Sequence, residues 1–227
     1  MKRILCLLTM CTAIAVGTAF SQCNQYYQFE EGNEWEMETY NQKDKLTGKI
    51  QQKVTSFQKA GNGFTAKINS VTYNEKGKEL TKGDLDFKCN DGIMYIDMRN
   101  FVTDEQMAAF KGYNLTVEGD NLEVPSTLSV GQSLKDASIH VNATDAPIPM
   151  KMQVSITDRK VVGQETITTP AGTFECYKLT SKMYIKTIVG LNFSTIEWIA
   201  PKVGMVRSES YNKGGKLMGY NILTKRK

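Results

Sequence analysis

Met150-Lys-Met-Gln-Val-Ser-Ile-Thr157 decides the fold class. Met150, Met152, Val154 and Ile156 alternate with Lys151, Gln153, Ser155 and Thr157, the period of two that a strand with one buried and one wet face produces. The same reading applies outward along the chain. Trp35, Met37 and Thr39 alternate with Glu34, Glu36 and Glu38, whose carboxylates are expected to face water; Ile50, Gln52 and Val54 follow with Lys49 and Lys53 opposite; Phe64, Ala66 and Ile68 alternate with Thr65, Lys67 and Asn69. Strands in series with one solvated face each belong to antiparallel sheet.

The connections repeat as well. Tyr40-Asn-Gln-Lys-Asp-Lys-Leu46, Tyr73-Asn-Glu-Lys-Gly-Lys-Glu-Leu80 and Tyr211-Asn-Lys-Gly-Gly-Lys-Leu217 read as hairpin tips, since Asn, Asp and Gly accept the left-handed backbone that tight turns need. A favoured hairpin solution used repeatedly is the simpler reading of these three copies; a triplicated binding loop is the sharper one. Glu123 to Leu134 reads as a turn-rich crossing segment, and Asn142 to Pro149 as a loop. One helix is expected, over Thr103-Asp-Glu-Gln-Met-Ala-Ala-Phe-Lys-Gly112, with a capping threonine, acids in its first turn and a glycine stop. The fold class expected is mainly β: one antiparallel, strongly curved sheet, a spiral β-roll or half-barrel, with one short helix.

Residues 1–21 read as a cleavable export signal. Lys2 and Arg3 precede an apolar run from Ile4 to Val16, shorter than the roughly 20 residues of a membrane span, and small residues at Ala19 and Ser21 place cleavage before Gln22. The alternative is a lipid anchor on Cys23, against which Gln22, not a small residue, counts. Residues 22–227 then form a single β-rich domain, periplasmic or secreted, with no transmembrane span and monomeric. Of the 28 basic and 24 acidic residues, Lys2 and Arg3 leave with the signal, so the mature chain is near neutral. Its lysines are interspersed with acids, which argues against a nucleic-acid partner.

Three cysteines remain after cleavage: Cys23, Cys89 and Cys176. Cys176 lies within a strand-like run where a small buried thiol is ordinary, which leaves Cys23 and Cys89, at element edges, as the expected disulfide. One histidine and no Cys-x-x-Cys spacing give no basis for a metal site. His140 shares a strand face with Ser138, but no nucleophile elbow accompanies them. Asp84 with Asp86, and Glu36 with Glu38, are same-face acids of exposed strands. The expectation is no catalytic residue, no cofactor and no enzyme. Two roles are then open: a carrier of an apolar small molecule or lipid in a groove of the curved sheet, suggested by Met94, Met98, Met150, Met152 and Met183, although core filling is the simpler reading of those methionines, or an assembly component that meets an envelope protein through sheet edges and hairpin tips.

Val161-Val-Gly-Gln-Glu-Thr-Ile-Thr-Thr-Pro-Ala-Gly-Thr-Phe-Glu-Cys-Tyr-Lys-Leu179 and Glu197-Trp-Ile-Ala-Pro-Lys-Val-Gly-Met-Val-Arg207 resemble the paired signature of TapB-like exported proteins, close to a larger family of unknown function. Cys23 to Gly32 and Leu128 to Leu134 fit too, so the resemblance spans the mature chain. It implies a bacterial envelope protein with a curved β-sheet or β-roll and no catalytic residues. Physically, Thr169 to Thr173 and Pro201 to Gly204 are tight corners between strands, and Trp35 and Trp198 are core candidates.

Overall fold

The structure is a computed structural model that describes residues 23–102, 107–108, 110–148, 150–187 and 189–227. The export signal and its cleavage point lie outside the described residues, as does much of the expected helix, at positions 103–106 and 109. The strands are β1 (Glu34–Asn41), β2 (Leu46–Ala60), β3 (Gly63–Asn74), β4 (Glu79–Asn90), β5 (Ile93–Asp97), β6 (Leu115–Gly119), β7 (Asn121–Pro125), β8 (Ala137–Ala143), β9 (Met150–Thr169), β10 (Gly172–Lys186), β11 (Gly190–Ala200), β12 (Gly204–Asn212) and β13 (Leu217–Arg226). A single 3-10 turn, Met98–Phe101, follows β5.

All described strands join one 13-stranded antiparallel sheet in the order β6-β8-β9-β10-β11-β12-β13-β1-β2-β3-β4-β5-β7. The two edges of that order, β6 and β7, are consecutive in the chain and separated only by Asp120. They are two halves of one strand: the first half pairs with β8 and the second with β5, and the Asp120 amide still donates to Ser138 O at 2.9 Å. The sheet therefore curls further than a half-barrel into a nearly closed barrel with one seam, and the short β5 and β8 leave parts of β4 and β9 without a strand partner beside it. The Glu123–Pro125 part of the expected crossing segment belongs to β7. Pro125, which has no N–H to donate, sits at the strand end opposite Ile93.

The three repeated tips share one chemistry. Asn41 Oδ1 accepts from the Lys43 and Lys45 amides, Asn74 Oδ1 from Lys76 and Lys78, and Asn212 Oδ1 from Gly214 and Lys216. Asp44, Gly77 and Gly215 take the left-handed φ (56°, 77° and 77°) that turns the chain back. Strand register puts all three tips side by side on one rim, with Tyr40 stacked on Tyr220 at 5.1 Å between ring centres.

At the opposite rim the N-terminal segment plugs the barrel. Asn24 is fully buried; its Nδ2 donates to Val124 O and its Oδ1 accepts the Tyr26 amide. The Tyr26 hydroxyl accepts the Leu128 amide, and Phe29 makes edge-to-face contacts with Trp35, Phe64 and Phe87. Cys23 and Cys89 form a disulfide across a sequence separation of 66, a constraint worth on the order of 4 kcal/mol in chain entropy. Cys176 is free and buried, and burial together with Glu175 and Glu165 pushes its thiol up to about 11.

One expected solvated acid is not solvated. Glu36 lies on the face of β1 opposite Met37 but is buried beneath its cross-strand neighbours: Gln51 Nε2 donates to it at 2.7 Å, Lys225 Nζ at 2.9 Å and Lys49 Nζ at 3.3 Å. Led by the Gln51 bond, these hold its carboxyl at about 2 despite burial. Alternation gave the face correctly, and long neighbours on adjacent strands then covered it.

At the seam, a Cβ on Gly119 would sit 2.4 Å from Ser138 O and 2.8 Å from Ile139 Cα, whereas one on Gly83 meets nothing within 4 Å. Gly119→Val is expected to cost about 1–3 kcal/mol by overpacking in urea denaturation, with Gly83→Val as the control that does not. Equal midpoints for the two variants would mean that the seam is not closely packed.

Candidate functional site

Inside the barrel the inward residues divide into packed and unpacked regions. One side is filled: Met98, Phe110, Leu122, Ile139, Val141, Met152 and Val154 pack as a continuous cluster against the 3-10 turn. Toward the plug, Tyr26, Phe29, Val54, Phe64 and Met94 form a second. Between them is a cavity of about 240 Å³. Its walls are the inward apolar side chains of β1, β3, β4 and β5 (Trp35, Met37, Ile68, Leu85, Phe87 and Ile96), with Phe29, Phe101, Ile199 and Leu223. The methionines fill the core, the simpler of their two readings: Met94, Met98 and Met152 are fully buried, and Met150 and Met183 pack at the edge of the core. A larger depression, about 470 Å³, lies over β2 to β5 among Ser56, Lys67, Asp86 and Lys88; it is open and its charged groups are solvated.

The apolar walls surround a few polar groups. Arg159 is only 6% exposed, and its Nη1 donates to Glu123 O at 3.0 Å and Lys135 O at 2.6 Å. Both acceptors are neutral carbonyls, and among the described residues the guanidinium has no ion-pair partner. Glu197 and Tyr27 also line the cavity. Glu197 keeps some accessible surface because it borders the void, yet the protein around it raises its carboxyl above the usual range, with Arg159 acting in the opposite direction. Burial raises the Tyr27 phenol and lowers Arg159, which nonetheless stays charged. Asn100 Nδ2, on the 3-10 turn, is buried without a hydrogen-bond partner among the described residues.

Two local devices create this arrangement. Strict alternation from Ile156 would send Arg159 to solvent, but Asp158 adopts φ 52° and the β9 to β10 register slips there, so that Arg159 and then Val161 turn inward. On β11, Glu197 and Ile199 share the inner face while Trp198 takes the other, buried beneath the cations of Lys178 and Arg207 with its indole N–H donating to Glu165. Glu197 stands at one end of a cross-strand row, Glu197, Ser208, Asn221 and Thr39, in which Thr39 Oγ1 donates to Asn221 Oδ1 and Asn221 Nδ2 to Ser208 Oγ. Tyr27 is seated by the Pro201 to Gly204 corner: the Lys202 amide donates to Gln25 O, and a Cβ on Gly204 would meet the Tyr27 ring at 2.9 Å.

None of Tyr27, Asn100, Arg159 and Glu197 stood out in the sequence. Asp158-Arg159-Lys160, a charged triplet interrupting an otherwise regular strand, was the available signal. His140 faces Glu118 and Gln153 across strands and bonds neither Ser138 nor Glu118 among the described residues. Asp84 and Asp86 are exposed on β4, Asp84 accepting from Asn69.

Fold and cavity together define an all-β, barrel-shaped domain with an internal pocket. The chain belongs to the DUF3108-like family, which it matches over residues 30–223. A solved structure from Bacteroides fragilis, described as an exported protein with a YmcC-like fold, superposes with a TM-score of 0.72 at 26% identity over 90% of this chain and 100% of that one. A Parabacteroides distasonis protein described as a lipoprotein superposes with a TM-score of 0.74 at 23% identity over 91% and 100%, a likeness of fold. No curated protein matches the chain. Among the described residues, no helix is long and apolar enough to cross a membrane.

Burying an ionised Glu197 is unfavourable, and its sign fixes a pH signature. Its folded pKa lies above the unfolded value near 4.5, so the protonated acid fits the fold better, and wild-type stability is lost as pH rises from about 4.5 through the folded pKa. Glu197→Gln is therefore expected to gain stability relative to wild type over that rise and to show no gain below pH 4. A constant difference across the range, measured by urea denaturation, would contradict the assignment.

Proposed function

We propose that this is an exported, non-enzymatic bacterial envelope protein, periplasmic or secreted, that binds an apolar or lipid-like ligand inside its barrel. The observation that carries the reading is the cavity: apolar walls with a few convergent polar groups are the usual character of a small-molecule site. The paired motifs at Val161 to Leu179 and Glu197 to Arg207 support a place in the TapB-like branch of the family. The Bacteroides fragilis relative, described as exported, supports export here. The Cys23 sulfur is bonded to Cys89 and so is not free for a lipid thioether, which supports a protein without that anchor.

The test uses N-phenyl-1-naphthylamine, a neutral apolar dye. Saturable one-to-one fluorescence enhancement is expected with the wild-type protein, reduced at least tenfold in Leu85→Trp, which fills the cavity while the circular dichroism spectrum is retained. No saturable binding, or equal binding by the variant, would refute the carrier.

One observation favours a second reading, an assembly component that meets an envelope protein. The rim carrying the hairpin tips exposes Ile148 (75%), just before β9, and Val189 (66%) and Leu191 (51%), at the turn between β10 and β11; β9, β10 and β11 are adjacent strands, and clustered exposed aliphatics mark contact surfaces. Native mass spectrometry of protein purified from its own envelope separates the two. Bound lipid supports the carrier; a stable protein partner that is lost in Val189→Ser/Leu191→Ser supports assembly.

A further inference from the structure

Resting on the carrier reading, we propose that the ligand is a single-chain amphiphile with a carboxylate head, and that Arg159 is the residue that receives it. The guanidinium is almost completely buried, yet only Nη1 is engaged, on the Glu123 and Lys135 carbonyls. Nη2 and Nε hold no hydrogen bond among the described residues. A buried cation normally carries an ionic partner because an uncompensated charge is costly, and the planar fork of arginine matches the two oxygens of a carboxylate. Asn100 Nδ2, on the wall of the same cavity, is a buried donor without an acceptor among the described residues.

The acid on the cavity wall does not fill the role. Glu197 forms no ion pair with Arg159 among the described residues, and burial raises its carboxyl; Glu197, Asp136 and Glu123 attract the guanidinium without any of them closing on its fork. A phosphate dianion would bring more charge than one arginine offsets. The tail follows from the walls: a cavity of about 240 Å³ lined by apolar side chains suits one short alkyl chain better than the two long chains of a phospholipid, and an eight-carbon chain is the probe chosen.

Isothermal titration of the full mature protein with octanoate, octanol and octyltrimethylammonium tests this on the wild type. Octanoate is expected to bind at least tenfold more tightly than octanol, and the cation more weakly than either. In Arg159→Met the preference for octanoate is expected to disappear while octanol affinity stays within about threefold. Should that variant fail to fold, for loss of the two carbonyl contacts, Arg159→Lys keeps a cation for those carbonyls but not the planar fork and is expected to lower the preference for octanoate at least threefold with octanol affinity unchanged; an undiminished preference there would overturn the assignment. Equal binding of octanoate and octanol by the wild type, or tightest binding of the cation, would overturn the head-group assignment and leave the apolar cavity standing. No binding of any of the three would overturn both the assignment and the carrier on which it rests.

Discussion

Closure of the sheet depends on a single strand that serves both of its ends. Leu115 to Pro125 runs as one extended segment; up to Gly119 it pairs with β8, and from Asn121 it pairs with β5. A curved antiparallel sheet of 13 strands would otherwise present two long unpaired edges, each a row of exposed amides and carbonyls. Sharing the strand joins the two ends at one seam without any additional element. The switch is possible because Gly119 lets the backbone approach Ser138 and Ile139 more closely than a side chain would permit. Every statement about an inside and an outside of this molecule follows from that closure.

A closed barrel of this circumference must be filled or left hollow, and this one does both. The filled side uses methionines, which adapt to irregular gaps, together with the segment around Met98 and Phe110. The plugged end uses the N-terminal segment, which is held by its polar atoms as well as its rings. Asn24 satisfies both the Val124 carbonyl and the Tyr26 amide, groups that would be costly to bury unpaired. The disulfide then fixes the start of the plug to the end of β4. The remaining interior is the cavity.

Within the cavity the molecule departs from what stability alone would select. Well-packed hydrophobic residues in place of buried charges are often as stable or more so, yet here an arginine, a glutamate with a raised pKa and an unpartnered amide share one apolar space. Such local conflicts concentrate at functional sites. Glu36 differs: it too is largely covered, but Gln51, Lys225 and Lys49 supply its partners and depress its pKa. That carboxylate is a structural element of the outer wall. Glu197, with the opposite shift, belongs to the interior.

The sequence by itself determined the regular strands such as β1, β2, β3 and β9, their antiparallel class and the hairpin tips, because these depend on period-two alternation and on local turn chemistry such as the asparagine of each tip; the short β6 and β7, which alternate over too few residues, it did not. Alternation also assigned Met37, Val54, Ile68 and Val154 to one face and the core. Only the tertiary structure decided where that face led. The meeting of β6 and β7 with opposite edges joins residues far apart in the chain. The turn at Asp158 reverses the alternation at one residue, and the neighbours that cover Glu36 or leave Arg159 without an anion come from separate strands. Alternation describes one strand at a time, whereas closure, bulges and burial are set by strands acting on one another.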